Sequence, residues 1–150
     1  MTIILLCGRV GVGKSTLAQR LGERLKAQVI SSDSFKRRVY ERLLLEVERN
    51  MDRREYLILD ATFYKKIYRD RVREIVGGGE RIITVHLKCP LEVSLERNRR
   101  RKDPVPERGI RIISSLFEEP ENPDIVINTA EVGVDEAVER VLKTMQTQTE

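Results

Sequence analysis

The chain has 150 residues, 35% of them charged, and a net charge of +4. That length suits one domain over residues 1–150 and leaves no room for a second. No apolar run approaches the roughly 20 residues of a membrane helix, and the basic balance favours anionic partners such as nucleotides or RNA.

The N-terminal "MTIILLCGRVG" has no positively charged lead, and its apolar run ends in glycines rather than at a cleavage site, which reads as a cytoplasmic protein. The only cysteines, Cys7 and Cys89, each end an apolar stretch. They read as small buried thiols in a reducing compartment rather than as a disulfide framework.

In chain order, apolar runs of strand length alternate with amphipathic segments of helix length, the pattern of βα units and a mostly parallel sheet. Thr2–Cys7 reads as a buried central strand, and Lys14–Lys26 as a helix with Leu17, Leu21 and Leu25 on one face. A short second strand is expected over Gln28–Ser31 and a charged amphipathic helix over Ser34–Met51. "YLILD" at 56–60 is a third strand, and Lys66–Val76 a helix that stops at Gly77–Gly79. The fourth strand is 81–89, followed by a helix over Leu91–Lys102 that the prolines of "DPVPERG" break. A short helix over Ile110–Phe117, a strand over 124–128, a helix over Val134–Met145 and a fraying polar tail complete the reading.

Between the first strand and first helix stands "GRVGVGKS", Gly8 to Ser15, which satisfies G-x-x-x-x-G-K-[ST] in the strand–loop–helix setting that the motif requires. Its glycines let successive N–H groups point at one anion, to which the helix also presents its positive end. Gly8, Gly11, Val12, Gly13, Lys14, Ser15 and Thr16 are therefore the expected nucleotide-binding set. Lys14 would reach the β- and γ-phosphates, and Ser15 would ligate Mg²⁺.

Two strands end in carboxylates: "ISSD" in Asp33 and "LILD" in Asp60. Open α/β sheets bind ligands at that rim. Asp60, after a strand expected beside the loop strand, suits Mg²⁺. Asp33 suits a base that accepts the proton of an attacking hydroxyl. Helix capping is the plainer alternative for both.

"LERNRRRKDP", residues 95–104, concentrates five cations in six positions, Arg97 and Arg99–Lys102. On a helix, Arg97 and Arg101 form an i, i+4 pair opposite Leu91 and Leu95, a like-charge pair that a polyphosphate between them would favour. Arg99, Arg100 and Lys102 read as a solvated helix end. The proline-broken segment after them, with Arg108 and Arg111, reads as a lid over roughly 97–111 that closes on the nucleotide. Beyond the Asp60 rim, Thr62, Phe63, Tyr64, Lys65 and Arg69 stand where an acceptor would sit, the aromatics serving to stack or merely to pack. Lys36, Arg37 and Arg38 would hold an anionic acceptor or simply face solvent, while His86, alone among apolar neighbours, reads as structural.

Taken together, "GRVGVGKS", "SSDSFKRR", "LILDATFYKKIYRDRVRE", "HLKCPLEVSLERNRRR" and "FEEPENPDIVINT" resemble the P-loop kinase group that holds L-seryl-tRNA(Sec) kinase, adenylylsulfate kinase and the zeta-toxin-like small kinases. The resemblance implies a three-layer α/β/α fold with a five-stranded parallel sheet in the order 2-3-1-4-5. It also implies ATP and Mg²⁺, Asp33 as base, Arg97 and Arg101 as the lid pair, and "EEPENPD" with the loop after Asn128 beside the adenine. Seryl-tRNA kinases are similar at "DATFYKK" and R-x-x-x-R, but tend to have Arg where Lys36 stands. Adenylylsulfate kinases are similar at "YRDRVRE", "CPLEV" and "EEPENPDIVINT", but carry an F-I-S-P-Y type segment in place of "ATFYK". The expected activity is transfer of the γ-phosphate of ATP to a hydroxyl of a small-molecule or RNA-linked acceptor. Adenylylsulfate and nucleosides or nucleotides are the alternative acceptors, and a nucleotide-gated RNA-binding switch is the rival from another class.

Overall fold

A computed structural model describes residues 1–147; residues 148–150, the end of the tail expected to fray, lie outside the described residues. Five strands, β1 (Thr2–Cys7), β2 (Gln28–Ser31), β3 (Tyr56–Asp60), β4 (Arg81–Lys88) and β5 (Ile125–Asn128), fall within one residue of where the apolar runs placed them. All pairings are parallel, in the order β2-β3-β1-β4-β5. The described residues form six α-helices, α1 (Lys14–Leu25), α2 (Val39–Asn50), α3 (Lys66–Val76), α4 (Leu91–Arg99), α5 (Glu107–Leu116) and α6 (Val134–Thr147). Among the described residues no helix is long and apolar enough to cross a membrane.

The alternation of side chains along each strand divides the core in two. Ile4 and Leu6 of β1, Ile58 of β3 and Val85 of β4 pack under α1 and α6 with Leu17, Leu21, Val138 and Val141. Ile3, Leu5 and Cys7 of β1 with Leu57 and Leu59 of β3 pack under α2 and α3 with Leu43, Val47, Val72 and Val76. Because β1 and β3 are covered on both faces, both read as continuous apolar runs. Their C-terminal ends meet at one rim, where the Gly8–Ser15 loop lies.

Three helices depart from expectation. The helix expected over Ser34–Met51 is instead a single 3-10 turn at Ser32–Ser34, an extended break, and α2 from Val39. Arg38 stands in the left-handed region at φ 51°, where a right-handed helix cannot continue, and Phe35 leaves the turn to pack on the core. The helix expected to run to Lys102 ends at Arg99, because Asn98 turns the chain back. The Asn98 Nδ2 donates to Val105 O at 2.7 Å and its Oδ1 accepts from Val105 N at 2.9 Å. The next helix begins three residues early, at Glu107 behind Pro106.

Beyond β3 the chain makes a strained turn. Phe63 is fully buried at φ 46°, a conformation that costs a bulky residue on the order of 1–3 kcal/mol. Two side chains bond to its backbone there. Its N–H donates to the Tyr40 hydroxyl at 3.0 Å, which also meets Thr62 Oγ1 at 3.0 Å, and Arg69 Nη1 donates to its carbonyl at 2.6 Å. The Tyr40 ring stacks on Tyr68 with centroids 3.8 Å apart, and burial pushes its hydroxyl up to about 12, so it stays a neutral donor and acceptor.

Removing that hydroxyl in Tyr40→Phe leaves Phe63 N–H and Thr62 short of a partner. The expected cost is about 1–2 kcal/mol, read as a lower urea midpoint at unchanged slope. An unchanged midpoint would show that Tyr40 does not hold this turn.

Candidate active site

The glycine loop approaches its neighbours too closely for a side chain at two points. A Cβ on Gly8 would meet the Leu87 carbonyl oxygen at 2.5 Å, and one on Gly11, at φ 84°, would meet the Ser94 oxygen at 2.4 Å. Gly13, at φ 103°, opens α1, whose first turn carries no acidic residue and no side-chain cap, so its N–H groups remain available to an anion.

Loop, sheet rim and the turn after β5 enclose a cavity of about 480 Å³. Gly11, Val12, Gly13, Lys14, Ser15 and Thr16 line it, as do Asp33, Asp60, Arg97 and Arg101. Gly8, the first glycine of the motif, does not line it but packs against Leu87 behind the loop.

Lys14 is only 8% exposed and its Nζ donates to the Arg9 carbonyl at 2.8 Å. Burial lowers its pKa to about 8, with Asp60 and Asp33 pulling the other way. Ser15 Oγ donates to Asp60 Oδ2 at 2.8 Å, and Ser31 Oγ donates to the same oxygen at 3.3 Å. Asp60 is 4% exposed and caps no helix. Alternation along β3 carries it to the α1 side, below the first turn that holds Ser15.

Asp33 lies on the 3-10 turn at the cavity mouth, exposed and without an ion pair among the described residues. It caps no α-helix either; its own N–H donates to Ser31 Oγ at 3.3 Å, so Ser31 is the cap. Both carboxylates thus stand clear of the capping alternative.

The arginine pair takes another form from the one expected. Arg101 lies beyond the end of α4, so the two residues are not one turn apart on a helix. Arg97 is already engaged: it donates to Thr129 Oγ1 at 3.0 Å and to Thr129 O at 2.8 Å, with longer contacts to the Gly11 and Val12 carbonyls. Thr129 Oγ1 in turn donates to Val12 O at 2.7 Å. Arg97 therefore ties the turn after β5 to the phosphate loop. Arg101 is exposed and, among the described residues, has no ion pair. Arg99 pairs with Glu107 at 2.5 Å and Arg100 with Glu96 at 2.7 Å, both on the surface, as a solvated helix end requires. Arg108 and Arg111 do not line the cavity.

Among the acceptor-side candidates, Thr62 lines the cavity, whereas Phe63 is core and Arg69, 3% exposed, is spent on the Phe63 carbonyl. Tyr64 is half-buried, edge-on to Tyr68 with Lys65 over its ring. Lys36, Arg37 and Arg38 are exposed. "EEPENPD" stays outside the cavity, while the loop after Asn128 lines it through Thr129, Val132 and Gly133. Both cysteines are buried free thiols. Ser31, Thr129 and Tyr40 are the contributors that sequence reasoning missed; a polar residue at a strand end was a signal available only for Ser31 and Thr129.

Comparison with known proteins accords with this geometry. A family profile described as an AAA domain matches residues 3–120. The chain is 30% identical, over 167 aligned positions, to a probable adenylyl-sulfate kinase of Halalkalibacterium halodurans, with 93% of this chain and 80% of that one covered. It is 24% identical to the L-seryl-tRNA(Sec) kinase of Methanococcus maripaludis, covering 94% of this chain and 65% of that one. It shares the fold of the Mycobacterium tuberculosis APS kinase solved with AMPPNP and APS, at a TM-score of 0.77, 97% coverage of both chains and 20% identity. The chain therefore belongs to the AAA-domain family of P-loop kinases in which adenylyl-sulfate kinases and L-seryl-tRNA(Sec) kinase also fall, and it is a phosphotransferase.

Proposed function

We propose that the protein transfers the γ-phosphate of ATP to a hydroxyl group, with adenylyl sulfate as the acceptor, in one kinase unit spanning residues 1–150 whose lid is segment 97–111. The observation that carries this reading is the opposition, in one cavity, of a phosphate cradle ending in the Ser15–Asp60 hydrogen bond and an unpaired carboxylate, Asp33. The choice of acceptor rests on the relative named an adenylyl-sulfate kinase.

In this reading Lys14 exchanges the Arg9 carbonyl for phosphate oxygens, and the N–H groups of the loop and α1 hold the remaining charge. Ser15 and Asp60 would hold Mg²⁺. Their oxygens fit that ion, which needs only one or two protein oxygens beside substrate phosphates, and no cluster of three or more metal-binding side chains exists among the described residues. When bound, Mg²⁺ neutralises charge on the phosphate oxygens. Asp33 takes the proton of the acceptor hydroxyl as its oxygen bonds to the γ-phosphorus and the bond to the β–γ bridging oxygen breaks, so that ADP leaves with that oxygen's charge. Arg101 meets charge that develops on the transferred group. Arg97 acts as a positioning residue, holding Thr129 beside the apolar end of the cavity, where Val132, Val134 and Ala137 offer a surface for the base.

Transfer from γ-labelled ATP tests this directly. Wild-type protein should label adenylyl sulfate, and Asp33→Asn should lower kcat by about 10²- to 10⁴-fold while affinity for AMPPNP stays within about threefold. Unchanged turnover in Asp33→Asn would reject the base. Label on seryl-tRNA and none on adenylyl sulfate would keep the phosphotransfer site and replace the acceptor.

The Lys14 ammonium adds a pH signature. Its charge is present below about 8 and lost above it, and phosphate binding favours the charged form. Affinity for Mg·AMPPNP should therefore be level below that pH and fall above it, by at most about tenfold per pH unit. Lys14→Met should bind weakly and show no such fall. A pH-independent affinity in the wild type would contradict the role.

A further inference from the structure

A second cavity, of about 240 Å³, lies beside the first, with Leu87 lining both. It sits between the end of β4, the phosphate loop and the C-terminal end of α5, and its polar lining is Arg9, His86, Lys88, Ser114 and Glu119. Phe117 closes one side, its ring stacked on His86 with centroids 5.8 Å apart. Alternation along β4 separates its side chains here: Leu87 goes to the α1–α6 side, while His86 faces away from it.

The charges of this lining do not balance. Glu119 is its one acid, and it stands 3.7 Å from Lys88 Nζ, at the outer limit of an ion pair. The Arg9 guanidinium donates to a neutral group, Ser114 Oγ, at 3.1 Å and has no ion pair among the described residues. Arg69, buried on α3, is likewise without a carboxylate partner among the described residues. The one ring that reports on the surroundings agrees: His86 is held below its ordinary pKa chiefly by burial, with Glu119 opposing and Lys88, Arg69 and Arg9 adding to the depression.

A guanidinium fork, an ammonium and a hydroxyl around one space form the donor set that a tetrahedral or planar oxyanion takes. The volume far exceeds that of a single water. We propose that this cavity is a binding site for a small free oxyanion of the phosphate or sulfate class, held by Arg9, Lys88 and Ser114. Arg9 makes the site more than a surface contact. Its carbonyl holds Lys14 at 2.8 Å while its side chain reaches α5, so an anion drawn onto Arg9 shares a residue with the phosphate cradle. Occupancy of the two sites is coupled, and the coupling is reciprocal.

His86 is the only histidine in the chain, so its ring resonances in an NMR spectrum identify themselves. The experiment fills the phosphate loop with Mg·AMPPNP, then titrates sodium sulfate, and separately sodium phosphate, at ionic strength held constant with sodium chloride. The expected result is a saturable shift of the His86 ring signals that chloride does not produce, with the His86 pKa rising by about one unit at saturation, because a bound anion favours the charged ring. In Lys88→Gln the apparent affinity should fall by about tenfold, the loss of one charge-assisted contact. Arg9→Gln should do the same. Lys88 is half-exposed, so its variant keeps the test clear of folding. A shift that is linear, matched by chloride, or unaltered in both variants would overturn the assignment. So would a His86 response to adenylyl sulfate with none to sulfate or phosphate, which would give the cavity to the acceptor.

Discussion

The register of β3 between its two neighbours is the constraint on which the site depends. Asp60 pairs with Leu6 of β1 on one side and with Ser31 of β2 on the other. That pairing sets one carboxylate at hydrogen-bond distance from hydroxyls of two separate segments, Ser15 at the start of α1 and Ser31 at the end of β2. A slip of one residue would turn Asp60 to the opposite face of the sheet, into the apolar cluster of Leu5, Leu59 and Phe63. The continuous apolar burial of β1 and β3 thus does more than stabilise a core: it fixes which face the only buried acid of the rim presents.

The same rim concentrates positive charge that the protein itself compensates only in part. Lys14 is buried against a carbonyl and Arg69 against another, while Arg97 and Arg9, both half-buried, lie against carbonyls and a hydroxyl and against a hydroxyl respectively. Each contact satisfies donors without cancelling charge, and burial makes uncancelled charge costly. An anion arriving at this rim restores the balance, which is the electrostatic sense of a phosphate-transfer site that is ready before its substrate binds. Arg97 and Thr129 add rigidity, since the loop carbonyl of Val12 is held from the turn after β5.

The alternation of strands and helices and the phosphate cradle were legible because they rest on local signals: apolar runs, helical spacing, and a motif lying between a strand and a helix. The layering and the sheet order followed only from the family resemblance. Asp60 was legible as a strand-end acid; Asp33, expected to end the second strand, lies two residues past it on the 3-10 turn. The arginine pair was only half legible. Spacing placed Arg97 and Arg101 on one helix, but Asn98 bonds forward to Val105 and ends α4 at Arg99, a side-chain contact that no helical periodicity announces. Ser34–Met51 failed for a similar reason, since the left-handed backbone of Arg38 and the packing of Phe35 on the core interrupt it. The aromatics after β3 show the limit most clearly. Phe63 and Tyr64 are adjacent, yet one is core and the other lies near the surface, and the difference is set by Tyr40 and Arg69, 23 and 6 residues away.

In the proposed mechanism Ser15 and Asp60, joined at 2.8 Å, part to hold a divalent ion with the nucleotide. Mn²⁺ in place of Mg²⁺ tests it, with free Mn²⁺ counted by electron paramagnetic resonance in the presence of saturating AMPPNP. The account predicts tight binding of one Mn²⁺ by the wild type and affinity weaker by about tenfold or more in Asp60→Asn, since the ion would lose a carboxylate. Equal Mn²⁺ affinity in the two proteins, both carrying AMPPNP, would contradict it.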